Sequence, residues 1–166
     1  MKSGKNLKSK ILIAGLILLA LSSCNVSNKV ENNEKEQIES FLALNDTITF
    51  QHTTSGLYYT DLVVGTGPLA VTHDSAFIKH AIMYLNGQVI YSNLATNDTL
   101  KIPVNEGFLL AGFDEGLTYM HLGGRALLLV PSSLAYGAYG YMGIPGYTPL
   151  LLDVRLVRLK PYPFIK

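Results

Sequence analysis

The sequence predicts an α+β domain: a small antiparallel β-sheet crossed by one short α-helix. Three observations carry this reading. Beyond Gly56 the chain is a succession of short β-like runs separated by turn residues. Between two of these runs stands Asn86-Gly87, a two-residue hairpin signal that folds neighbouring strands antiparallel. In that body only Leu109 to Met120 has helical periodicity, with Leu109, Leu110, Phe113, Leu117 and Met120 on one side.

The elements follow in order. Lys2, Lys5, Lys8 and Lys10 form a basic start, and Ile11 to Leu21 is an apolar run. Spanning a bilayer takes about 20 apolar residues, so this run fits a secretory signal peptide better than a membrane helix. It ends at Leu21-Ser22-Ser23-Cys24, which resembles a bacterial lipobox, with Cys24 the lipid-attachment residue. The alternatives are an ordinary signal peptide with an incidental cysteine, or a short helical anchor. A doubly or triply acylated cysteine would hold the protein stably on a membrane, outside the cytoplasm. Residues 1–23 are therefore read as signal, and 24–55 as lipidated cysteine, acidic tether and short helix.

Asn25 to Glu36 is polar and charged, with only Val26 and Val30 apolar, and reads as a spacer. Ile38, Phe41 and Leu42 then suggest a short amphipathic helix over Lys35 to Leu44. Strands are expected at Leu57 to Val64, Ala76 to Leu85, Gln88 to Tyr91, Thr99 to Ile102, Arg125 to Val130 and Leu150 to Leu159. Gly112 and Gly116 weaken the helix, so packing must hold it. Pro131 to Thr148 is a long loop rich in Gly and Tyr. The body, 56–161, is one modest domain, followed by a tail at 162–166.

Charge and composition exclude several functions. The 166-residue chain has a formal charge of +1, one Cys, ten Tyr and no Trp. Without the four lysines of the signal the charge becomes −3, all of it in residues 25–56, and residues 57–166 are neutral. Such a body has no basic face for nucleic acid. One cysteine rules out an internal disulfide framework. His52, His73, His80 and His121 have no metal-ligand spacing. Gly65-Thr66-Gly67 lacks the third glycine and following helix of a dinucleotide site. Ser132-Ser133 sit in no nucleophile elbow.

What remains is an ordered set of motifs. Gly112-Phe113-Asp114-Glu115-Gly116-Leu117, then Met120 and Gly123, precede Val130-Pro131. Leu134-Ala135-Tyr136-Gly137 and Gly143-Ile144-Pro145 follow, and Leu150 to Leu156 closes the set. In this order the chain resembles the FKBP family of peptidyl-prolyl cis–trans isomerases from about Gly56 to Lys160. The helix upstream, with Thr54 to Tyr59 and Gly65 to Pro68, is similar to FKBP-type lipoproteins of the Bacteroidetes kind.

The resemblance implies an FKBP-like sheet wrapped around the helix, proline-containing polypeptide substrates, no cofactor and no metal. X–Pro isomerisation crosses a barrier of roughly 20 kcal/mol set by amide resonance, and a dry apolar cup with a few donors lowers it. By resemblance Tyr136 donates to a substrate carbonyl, Ile144 is the loop isoleucine, and Phe113 is the floor, in the place of a usual Trp. Leu109 and Leu110 match the pair whose backbone serves the ligand. Departures are expected to weaken the site. His80 stands for a tyrosine and Ile90-Tyr91 for Phe-Asp, while Leu100 and Leu152 replace aromatic residues. Aliphatic side chains keep the cup apolar but remove rigid ring surface. Low isomerase activity and weak or absent binding of macrolides such as rapamycin are therefore expected. If His80 titrates beside the site, activity varies with pH near about 6.5. Tyr139, Tyr141 and Tyr147 either pack the loop down or present an aromatic patch to a client.

The expected role is a monomeric isomerase of the bacterial cell envelope, in the periplasm on the outer membrane, assisting exported proteins to fold. The alternatives are a non-catalytic binding or chaperone module of the same fold, or a structural lipoprotein of a motility or secretion apparatus.

Overall fold

The structure, a computed structural model, describes residues 32–162. The expected signal, Cys24 and the first part of the tether lie outside the described residues, as does most of the short tail.

Among the described residues seven strands form one antiparallel sheet: β1 (Gln51–His52), β2 (Tyr58–Val63), β3 (Ser75–Tyr84), β4 (Val89–Ser92), β5 (Leu100–Pro103), β6 (Arg125–Val130) and β7 (Leu150–Lys160). Their order is β1-β2-β6-β7-β3-β4, with β5 also paired to β3. β7 runs along the whole of β3, from Tyr84 opposite Leu150 to Ser75 opposite Lys160. The other edge of β3 is shared. Ser75 to Ile78 face β5, and Ala81 to Met83 face β4.

The expected strands are present with ends shifted by a residue or two, and β1 is an addition that the two exposed residues Gln51 and His52 did not announce. The hairpin differs from the two-residue expectation. Tyr84 pairs with Gln88, the Gly87 amide donates to the Tyr84 carbonyl, and Gly87 has φ 87°. A three-residue loop with glycine in the left-handed position joins the strands, so one more residue enters the turn.

Charges inside β7 have partners across the sheet. Asp153 accepts two hydrogen bonds from Arg125 on β6, at 2.9 and 2.6 Å. The Arg158 guanidinium lies 3.6 Å from the centre of the Phe77 ring on β3.

Helix α2 (Ala111–Leu117) is shorter than the periodicity predicts. Leu110 is extended, at φ −59° and ψ 141°, and Tyr119 and Met120 close i→i−3 turns that end the helix. Seven residues are too few for a stable isolated helix. Its two glycines face β6. A Cβ on Gly112 would lie 2.6 Å from Val130 Cγ1, and one on Gly116 2.5 Å from Leu128 Cδ1. The glycines thus let backbone approach sheet, and Phe113, Leu117 and Met120 enter a core with Ile78, Ile102, Leu128, Leu152 and Val154.

The spacer reading fails for its last residues, because 32–44 form helix α1. Glu34 and Ile38 are its buried residues, one turn apart. The Glu34 carboxylate accepts hydrogen bonds from the Ser132 amide, at 2.5 Å, and hydroxyl, at 2.6 Å. A glutamate on the inward stripe hid the helical period from a hydropathy reading.

Candidate active site

β3, β4, β5 and the loop after β6 enclose an apolar cleft of about 290 Å³. Strand alternation places His80 and Ile82 of β3 on its wall. β4 contributes Ile90 and Tyr91, and β5 contributes Leu100. The loop supplies Tyr136, Tyr141, Met142 and Ile144. Among the described residues no lysine, arginine, aspartate or glutamate lines it.

The loop is a built object. Residues Ser132–Leu134 form a single 3₁₀ turn. The Ser132 carbonyl accepts from the amides of Ala135 and Gly137, on either side of Tyr136. Tyr141 and Ile144 exchange backbone bonds of 3.0 and 2.9 Å, which turns the chain back and buries Ile144. The Tyr136 and Tyr141 rings stack at 5.2 Å and 17°. Among the described residues the Tyr136 hydroxyl has no hydrogen-bond partner, and burial followed by the neighbouring Tyr141 pushes its pKa above the ordinary tyrosine value. It is a neutral donor held at the cleft.

His80 is 3% exposed. Its ring meets Phe113 edge-on at 5.2 Å and tilts against Tyr91 at 5.0 Å. Its amide donates to Asn93 Oδ1 at 2.6 Å, and its carbonyl accepts from the Asn93 amide at 3.1 Å. Burial holds the imidazole pKa below its ordinary value, so the ring is neutral at neutral pH. Titration near 6.5, the sequence expectation, is therefore corrected downward.

The structure brings Tyr136, Ile144, His80, Ile90, Tyr91 and Leu100 to one cleft. It does not bring the other four to its surface. Phe113 is 1% exposed and lies beneath, its ring edge-on to His80 and in one core cluster with Ile144. Leu152 is fully buried in the core. Leu109 and Leu110 are half-buried and pack against the core outside the cleft lining. Of the three loop tyrosines, Tyr141 lines the cleft, and Tyr139 is 99% exposed. Ile82, Met142 and Asn93 were missed as site residues. Ile82 was legible, since it stands two residues from His80 on one strand. Met142, at φ 44° in the turn, had no sequence signal.

A second carboxylate shapes the approach to α2. Asp114 is 4% exposed and accepts the Gly107 amide at 2.6 Å, fastening the loop before the helix. Burial raises its pKa, against the lowering effect of its bonds to the Gly107 and Phe108 amides. Among the described residues no cluster of His, Cys, Asp and Glu could hold a metal.

The profile of FKBP-type peptidyl-prolyl cis-trans isomerases matches residues 67–157, from the turn before β3 to the middle of β7. The chain belongs to this family. Similar proteins include the "FK506-binding protein" of Neisseria meningitidis serogroup B, 33% identical over 105 residues, which are 63% of this chain and 96% of that one. "FK506-binding protein 4" of Dictyostelium discoideum is 38% identical over 104 residues, 62% of this chain, which spans only 28% of that protein. Among solved structures, AtFKBP13 superposes with TM-score 0.62 at 30% identity, over 68% of this chain and 99% of its own. FkpA from Escherichia coli shares the fold, with TM-score 0.72 at 22% identity over 97% of this chain and 75% of its own. The cleft of this FKBP domain lies within the matched residues.

Proposed function

We propose that the domain catalyses cis–trans isomerisation of X–Pro bonds in proline-containing polypeptides. The observation that carries this is the uncharged, apolar cleft with the unpartnered Tyr136 hydroxyl at its wall. The X–Pro unit has no amide N–H at proline and offers carbonyl oxygens alone. An apolar wall takes the ring, a donor takes an oxygen, and exclusion of water favours the less polar twisted amide. Aliphatic Ile82, Ile90, Leu100 and Ile144 grip a ring less rigidly than aromatic residues, so the rate is low for the family and macrolide affinity is weak.

Exchange NMR on a short X–Pro peptide, with residues 32–166 as catalyst, tests this. Tyr136→Phe removes one neutral hydrogen bond of about 0.5–1.5 kcal/mol and lowers kcat/KM by roughly two- to twelvefold. No catalysis above buffer by the parent protein would refute the isomerase, and a rate equal to a strong FKBP would refute the weakened site.

Location belongs to the same proposal. The basic start, apolar run and Leu21-Ser22-Ser23-Cys24 support export and lipidation, and thus an envelope role in folding exported proteins. Cys24→Ser should then move the protein from the membrane fraction to the soluble one. Exposed Tyr139, Tyr141 and Met142 beside the cleft favour a second reading, a chaperone module that holds unfolded chains. Retained suppression of client aggregation by Tyr136→Phe, with isomerisation reduced, would select it.

A further inference from the structure

The cleft contains a polar group that its apolar character does not require. His80 lies at the wall with nine-tenths of its surface buried, and its Nδ1 is sealed from solvent without a hydrogen-bond partner among the described residues. Phe113 of α2 meets it edge-on, Tyr91 of β4 leans over it, and Asn93 fixes its backbone on both sides. Among the described residues no charged side chain shares the cleft, and no carboxylate there dictates the tautomer.

Two chemical facts then decide the proton's place. A neutral imidazole carries one N–H donor and one bare acceptor. A buried N–H without a partner is rarer in proteins than an under-used acceptor, so the sealed Nδ1 is the bare nitrogen. The proton belongs on Nε2, the ring nitrogen not sealed in the core.

Building on the isomerase reading, we infer that His80 Nε2–H is a substrate-contacting donor, binding a backbone carbonyl oxygen adjacent to the proline. The ligand chemistry matches, because the X–Pro unit presents acceptors to the cleft and no amide hydrogen at proline. Tyr136 and His80 stand on different elements, the loop and β3, and so supply two donors from two walls. With no carboxylate beside it among the described residues, the histidine gives the cleft a donor that stays neutral.

The test uses ¹⁵N-histidine-labelled protein titrated with acetyl-Ala-Leu-Pro-Phe-amide, reading both imidazole nitrogens of His80 and the amides of Tyr136 and Ile144. The expected result is the Nε2–H tautomer in the free protein, with the peptide shifting Nε2 more than Nδ1. A peptide that moves Tyr136 and Ile144 but leaves the His80 ring unchanged overturns the donor while leaving the isomerase reading intact. A peptide that moves none of them overturns both. His80→Phe keeps an aromatic ring and removes the donor, and should lower kcat/KM about three- to tenfold. His80→Gln restores an N–H and should recover part of that loss. Equal activity of His80→Phe and the parent protein overturns the inference, and the tautomer measurement on the parent decides it even if a variant fails to fold.

Discussion

Replacing Glu34 by alanine tests whether α1 is part of the domain or only attached to it. Glu34 is 7% exposed and Ser132 5%, and the carboxylate takes both the Ser132 amide and hydroxyl at 2.5 and 2.6 Å. Hydrogen bonds to a charged group are worth about 1.5–3 kcal/mol each. The groove of about 500 Å³ beside Glu34 admits water to the orphaned groups, which favours the low end. A total loss of about 2–3 kcal/mol follows for Glu34→Ala. With a urea dependence of about 1–3 kcal/mol per molar, the unfolding midpoint falls by about 1 M. Ser132→Ala keeps the amide and loses the hydroxyl, so a double-mutant cycle should return about 1 kcal/mol of coupling. The effect extends to the cleft, since Ser132 also holds the amides of Ala135 and Gly137 around Tyr136. KM for a proline peptide should therefore rise in Glu34→Ala. An unchanged midpoint with coupling under about 0.3 kcal/mol would show that α1 is an appendage and refute the reasoning.

Three further outcomes are expected. Gly112→Ala places a Cβ 2.6 Å from Val130 Cγ1, on a stiff, fully buried side chain, and overpacking of about 1–3 kcal/mol outweighs the gain in helix propensity; a higher melting temperature would contradict this. Because burial lowers the His80 pKa below its ordinary 6.5, the unfolded chain takes up a proton that the fold resists, and stability is lost as pH falls below that value. Urea midpoints at about pH 7.5 and 5.5 should converge in His80→Phe relative to the parent, and identical pH slopes would show another group at work. Asp153→Ala strands Arg125, but Arg125 is 38% exposed in its side chain and reaches water, so a loss of about 2 kcal/mol is expected instead of the larger value for a sealed pair; a loss under about 0.5 kcal/mol on urea unfolding would make the pair ornamental.

Legibility in the sequence differed between fold and site for definite reasons. The strands were readable because two-residue alternation survives wherever one face is buried, as in Ala76, Ile78 and His80 of β3. The cleft residues on strands, His80, Ile90, Tyr91 and Leu100, came from the resemblance to the FKBP family and not from alternation. Phe113, expected as the floor by resemblance, lies beneath the cleft against the His80 ring, and Leu152 is fully buried in the core; how deep each inward residue sits only packing shows. The helix ends were misplaced because apolar spacing continues through Leu109, Leu110 and Met120, whereas backbone geometry at Leu110 and Thr118 ends the helix sooner.

By itself the sequence determined the sheet-and-helix class, the family and the uncharged character of the cleft, because these depend on residue type and order. The tertiary structure alone decided that Glu34 is a buried clamp on Ser132 and that Asp153 pairs with Arg125 across two strands. It alone decided that His80 keeps an unpartnered nitrogen in an apolar wall. Each of these depends on which polar groups meet across long separations in the chain, and for a polar side chain those meetings decide whether burial is unfavourable, neutral or useful.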